Sequence, residues 1–299
     1  MRTRTKLLLA LVSWIALGIL FGAIFGNAGR NNAFQPQNEF KLDPWVKIKL
    51  GSLDLSINKA VLYIVLAATA TSWTMLWISR RMQARPNRVQ TAVEAAYILM
   101  RDNITFGNMD RRMATKWFPF IGTLFLFIWF SNIIGYFPLP VNTQEKFDLF
   151  GVHVPAFAIY AATANLSIPL VLTLMVWFSY HIEGIRTQGF VPYLRSWIPA
   201  GVQGFAAVPI FVIEVISHFV RVISLSVRLF ASLLAGHLLI LFMAGGLVVL
   251  LGLAAIGVFT LPVAVAFYAF EVVLIATLQA FIFATLAAIY FGGATAAHH

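Results

Sequence analysis

ISLSVRLFASLLAGH, residues 223–237, sets one arginine, Arg228, among Leu, Val, Ile, Phe and Ala, with His237 nine residues later. The flanks are as oily. From 201 to 292 the only charged residues are Glu214, Arg221, Arg228 and Glu271, and the only histidines are His218 and His237. That length could make four upright membrane spans of about 20 residues, or two very long tilted helices bent near Gly245-Gly246. Segments that are apolar all round carry no periodicity to choose between these.

Composition agrees with a membrane setting. The 299 residues are 60% hydrophobic and 11% charged, with a mean hydropathy of +0.85. Soluble domains carry about 25% charged residues. The net charge of +10 would suggest nucleic acid in a soluble protein. Here no basic, aromatic-interleaved domain stands apart from the spans, and nucleic-acid binding is not expected. Basic residues instead collect in cytoplasmic loops. There are no cysteines, which excludes disulfides, thiolate metal sites and cysteine nucleophiles.

The remaining spans follow from hydropathy. LLLALVSWIALGILFGAIF, residues 7–25, is an uncharged run of bilayer length behind the basic MRTRTK. It reads as a retained span, with a signal-like segment as the other reading. Gly18, Gly22 and Gly26 make one face smooth enough to dock a neighbour closely. Residues 27–58 form an extramembrane polar loop. Further spans are expected at 60–79, 117–138 and 158–180. Residues 80–116 hold eight basic and three acidic side chains, so this amphipathic, helical stretch is cytoplasmic. HIEGIRTQG, from His181, turns back on the same side.

A charge at bilayer depth costs about 2.5–3.5 kcal/mol on insertion scales, so such residues face an interior or a watery path and mark ion routes. Glu214, Arg221 and Arg228 are spaced by seven. Seven residues drift by about 20°, so the three share a stripe, with Ser217 and His218 one turn away. His237 points half a turn away from Arg228. Glu271 and Gln279 add polar groups to the last helix. A Glu214–Arg221 or Glu214–His218 pair could be structural, Arg221 could snorkel, and His237 could be a satisfied core histidine. Carboxylate, imidazole, hydroxyl and amide together are the ingredients of a proton relay, and a fixed arginine between two relays opposes a proton passing straight through. There is no zinc-protease, nucleophile-elbow or phosphate-loop motif and no cluster of metal ligands, so neither cofactor nor metal is expected.

These residues resemble a family. SLSVRLFASLLAGH and TLQAFIFATLAAIYFG (277–292) look like the signature and closing helices of subunit a of the rotary F-type ATP synthase. IEVISHFVRVISLSVRLF, FSNIIGYFPLP (130–140) and TANLSIPLVLTLMVW (163–177) add support, and the similarity covers roughly 60–292. The resemblance implies an all-α, multi-pass membrane protein of about five to six membrane helices. The last two, about 203–245 and 249–292, would be long and strongly tilted against a c-ring. A core over 59–292 would follow an N-terminal region of 1–58 and precede a tail of 293–299.

The function implied is that of a stator with two offset half-channels that load and unload protons on c-ring carboxylates. Proton flow is thereby coupled to rotation and to ATP synthesis, and the subunit has no catalytic site of its own. Arg228 matches the essential arginine. His237 and Glu271 resemble the inlet pair, with Gln279 nearby and Asn132 a further residue lining the same channel. Glu214, Ser217 and His218 resemble the cytoplasmic outlet, and Arg221 matches a basic position. Ser232 stands where the family often has Asn, and Glu271 precedes Gln279 by eight residues rather than seven. Implied partners are the c-ring, the peripheral-stalk b subunits, the rest of the complex and the lipid bilayer. The implied location is the bacterial plasma (inner) membrane. The terminal HH resembles cyanobacterial and plastid endings, which keeps the thylakoid membrane as the alternative. A self-contained proton-coupled transporter is the rival reading; it calls for an internal repeat, and none is evident.

The chain's lack of cysteine allows a direct test of the inlet. Single cysteines at 233 to 240 should react with water-soluble thiol reagents from the non-cytoplasmic side, and uniform silence would mark a dry helix.

Overall fold

A computed structural model describes residues 3–25, 40–50, 53–54, 56–83, 87–141, 146–149, 152–155, 159–199, 202, 204–246 and 254–295. Its helices are α1 (Thr3–Phe25), α2 (Lys59–Arg81), α3 (Arg88–Ile98), α4 (Arg111–Gly135), α5 (Ser167–Gln188), α6 (Phe190–Arg195), α7 (Ala207–Leu241), α8 (Ala254–Phe270) and α9 (Ala276–Thr295). π turns extend three of them, at Leu99–Phe106 after α3, Phe242–Gly246 after α7 and Glu271–Ile275 between α8 and α9. Strands are confined to two short antiparallel hairpins, β1 (Lys49–Leu50) with β2 (Leu53–Asp54) and β3 (Lys146–Leu149) with β4 (Val152–Pro155). Both fall in regions read from sequence as loops.

Among the described residues five helices are long and apolar enough to cross a bilayer: Lys59–Ile78, Arg111–Gly135, Ser167–Gln188, Gly204–Leu241 and Ile256–Thr295. The last two run 38 and 40 residues. At 1.5 Å per residue that is about 57–60 Å, twice a hydrocarbon core of about 30 Å. The alternative of four short C-terminal spans is thereby removed. The all-α, multi-pass expectation holds.

One span departs from its expected place. The helix expected over 158–180 occupies Ser167–Gln188, and residues 162–164 before it form a single 3-10 turn. Asn165 Oδ1 accepts the Ser167 N–H at 3.1 Å, and Pro169 sits in the first turn, where its missing N–H removes no helical bond. The far end runs on through HIEGIRTQ, so the chain turns at Gly189, whose φ of 88° stops the helix. The helical reading of 80–116 is met by α3, which Asn87 caps by accepting the Gln90 N–H at 2.8 Å.

Contacts divide the chain into two interleaved units. The first draws on the chain up to Lys59, on Tyr136–Tyr160 and on Leu234–Ile275. In it α1 packs on α8, and Gly18 on α1 is buried. Gly26, the third glycine of the smooth face, lies outside the described residues.

The second unit comprises Ala60–Gly135, Ala161–Leu233 and the chain from Ala276. Its centre is α9 packed on α4 and α5. Ala276, Ala280, Ala284, Ala287 and Ala288 are wholly buried along α9. Lipid offers no hydrophobic drive for helices to associate, so small side chains that let backbones approach supply the contact. Polar ties add to it: Trp129 Nε1 donates to Thr277 Oγ1 at 3.1 Å, and Lys116 on α4 pairs with the buried Glu183 on α5.

Glu183 is 1% exposed, so Lys116→Met would strand a buried carboxylate. The loss should be about 2 kcal/mol of stability, less than for a fully buried pair because Lys116 is half exposed. It should appear as a lower unfolding midpoint in detergent, restored in part by adding Glu183→Gln.

Candidate functional site: two polar clusters and an exposed arginine

The first cluster lies in the first unit. Glu271, 7% exposed, opens the π turn after α8. Its carboxylate lies against Gly236 of α7, where any Cβ would collide with it. The Tyr136 hydroxyl donates to Glu271 Oε2 at 2.9 Å. The same Tyr136 ring stacks on the His237 ring at 4.4 Å and 29°. One tyrosine thus touches both residues expected at an inlet. Tyr268 fixes it by donating to the Tyr136 carbonyl at 2.9 Å and packing edge-on to its ring. Tyr136, His237 and Glu271 are all buried. A π turn takes one residue more than an α turn, so the eight-residue interval from Glu271 to Gln279 contains one residue that the π turn absorbs.

The second cluster lies in the second unit, on the first half of α7. Arg221 Nη2 donates to Glu214 Oε1 at 3.1 Å, so the seven-residue spacing does bring these two together. His218 Nε2 lies 3.7 Å from the same oxygen. The other imidazole nitrogen, Nδ1, shares a hydrogen bond of 3.0 Å with the Tyr180 hydroxyl of α5. The Arg221 guanidinium also sits 5.5 Å over the Tyr290 ring of α9. Glu214, His218 and Arg221 line an open cavity of about 520 Å³, walled by Tyr193, Trp197 and Tyr290. Behind it His181 Nδ1 and the Tyr193 hydroxyl are 2.6 Å apart. Gly184 admits the Tyr193 ring, which a Cβ there would block. Tyr193, on the short α6 outside the spans, is buried, and that burial pushes its phenol pKa upward.

Arg228 differs from Arg221. Its side chain is exposed, and no carboxylate among the described residues pairs with it. Ile216, Val220, Ile223 and Val227, which are 41–60% exposed, form an apolar stripe at helical spacing, about 80–140° round the helix from Arg228.

The other expected residues are placed as follows. Asn132 is fully buried and its amide is spent: Nδ2 donates to the Ala276 carbonyl at 3.2 Å, and Oδ1 accepts from Thr163 at 2.7 Å. Ser232 bonds back to the Leu229 carbonyl at 3.2 Å. Ser217 and Gln279 are half-buried and make no hydrogen bond among the described residues. Sequence reading missed Tyr136, Tyr180, His181 and Tyr193. A tyrosine within an apolar span was the available signal for the first two, since its hydroxyl needs a partner there. No group of three potential metal ligands occurs among the described residues.

The helices define a multi-pass helical membrane protein with clusters of ionisable side chains buried inside it. The particular family is shown by comparison. The family model described as ATP synthase A chain matches residues 61–292. A relative from Rubrobacter xylanophilus, ATP synthase subunit a, is 36% identical over 83% of this chain and 88% of its own length. The proteins of that name from Brucella ovis and Brucella melitensis are each 31% identical over 89% of this chain and all of theirs. The chain belongs to the ATP synthase A chain family.

Proposed function

We propose that this chain is the proton-conducting stator subunit of an F-type ATP synthase in a bacterial plasma membrane. In this reading its partners are a c-ring, the peripheral-stalk b subunits and the rest of the complex, and ATP chemistry occurs elsewhere in that complex. The observation that carries the reading is Arg228, an exposed charge with no carboxylate partner among the described residues, on a helix of membrane length that also presents an exposed apolar stripe. Such a stripe calls for an apolar covering. Such a charge calls for a carboxylate that the covering brings with it. A ring of subunits, each with one membrane-embedded carboxyl group, supplies both.

The two clusters supply the rest. His237, Glu271 and Tyr136 form the inlet. Glu214, Ser217, His218 and Arg221 form the outlet toward the cytoplasm, where the cavity admits water. Glu214, His218 and Arg221 precede Arg228 on α7 and His237 follows it. A proton from the inlet neutralises a ring carboxylate, which then leaves Arg228 and enters the lipid. After the ring has turned, the returning carboxyl gives its proton to the outlet, and Arg228 holds the resulting anion.

Arginine suits this role because its pKa above about 12 keeps it charged whatever protons pass. A proton crossing 100 mV releases about 2.3 kcal/mol, and a path past Arg228 would dissipate it without rotation.

In proteoliposomes holding the whole complex, Arg228→Ala should abolish ATP-driven proton pumping while the complex still assembles. Normal coupled pumping would make Arg228 structural and remove the mechanism. Glu214→Leu should slow pumping and change its dependence on cytoplasmic-side pH. Unchanged rates across pH would take Glu214 out of the outlet.

A further inference from the structure

We propose that the Tyr180 hydroxyl is a positioning group for His218, holding its imidazole so that Nε2 can exchange a proton with Glu214 without the ring turning. The inference rests on the outlet reading of the Glu214 cluster and adds a residue that the sequence did not single out.

The geometry is a line of four side chains across two helices. Arg221 Nη2 lies 3.1 Å from Glu214 Oε1, that oxygen lies 3.7 Å from His218 Nε2, and His218 Nδ1 lies 3.0 Å from Tyr180 Oη. His218 is therefore gripped at Nδ1 from α5 and presents Nε2 to the carboxyl on its own helix. The 3.7 Å gap is beyond a direct hydrogen bond but within reach of one bridging water, and both groups line the cavity.

A hydroxyl suits this grip because it both donates and accepts. With Nδ1–H donating to Tyr180 Oη, the Nε2 lone pair faces Glu214. A protonated Glu214 then passes its proton to Nε2: its O–H bond breaks, an N–H bond forms, and Arg221 holds the carboxylate left behind. The imidazolium keeps the Nδ1–H···Oη bond and releases the proton from Nε2 to cavity water, which restores the starting tautomer. Without the hydroxyl, Nδ1 would be buried with nothing on α5 to fix its tautomer or the ring angle.

Tyr180 is itself held in place. It is 1% exposed, and its ring packs against those of His181, Tyr290 and Phe291. The titratable and charged groups around His218 are Glu214 and Arg221 on α7, Tyr180 and His181 on α5, Tyr193 on α6 through its bond to His181, and Tyr290 on α9. Trp197 closes the remaining side at 4.5 Å. Of these, His181 bonds the Tyr193 hydroxyl through Nδ1, and Arg221 bonds Glu214 and lies over the Tyr290 ring.

The test is ATP-driven proton pumping against pH in proteoliposomes of the whole complex, normalised to assembled complex. It compares wild type, Tyr180→Phe, His218→Gln and the double variant. Phenylalanine keeps the ring packing and deletes only the oxygen. Tyr180→Phe should slow pumping about fivefold, the order expected for loss of one hydrogen bond, and should reshape the pH profile. The double variant should match His218→Gln in rate and profile. Wild-type behaviour of Tyr180→Phe overturns the proposal, as does an equal loss in the His218→Gln background, which would mean that Tyr180 acts through packing. If His218→Gln and Glu214→Leu both pump as wild type, the outlet reading itself fails and the positioning role goes with it.

Discussion

An ionised or polar side chain at membrane depth must be paired inside the protein, kept in contact with water or met by another chain. The four charged residues within the long C-terminal helices illustrate these solutions. Glu271 is received by a tyrosine hydroxyl at a glycine notch. Glu214 and Arg221 pair and share an open cavity. Arg228 is exposed and has no carboxylate partner among the described residues, and the proposed function assigns it the third solution. The proposed function follows from that difference between two arginines on one helix.

Tyrosines connect the clusters to neighbouring elements. Tyr136 joins an acid and an imidazole through one ring, by hydrogen bond and by stacking. Tyr180 reaches His218 from α5. A phenol brings a large apolar body and one hydroxyl that serves as donor or acceptor, so it can sit in a helix bundle and still serve a polar partner. Glycine makes the approaches possible: Gly236 admits the Glu271 carboxylate and Gly184 the Tyr193 ring. The alanines of α9 act likewise on a larger scale, bringing backbones close where lipid gives no hydrophobic reason to associate.

The π turn at Glu271–Ile275 shows how an irregular helix accommodates an irregular spacing. An eight-residue interval in a regular α-helix would set Glu271 and Gln279 about 80° apart. One wider turn takes up a residue, so the interval says less about phase than regular helical arithmetic suggests.

The sequence by itself determined the membrane setting, the all-helical class, the unusual charge of Arg228 and the Glu214–Arg221 stripe. These rest on local quantities: hydropathy along the chain, and a seven-residue interval that any α-helix turns into one face. It could not choose between four short and two long C-terminal helices, because a segment apolar on every side has no periodicity. It placed one span too early, since hydropathy does not register the Asn165–Ser167 hydrogen bond or the φ of Gly189. Only the tertiary structure decided which side chains meet across helices. Tyr136 and Glu271 lie 135 positions apart, and Tyr180 and His218 lie 38 apart. Such pairings are set by how helices pack, and a single chain read in one dimension carries no term for that.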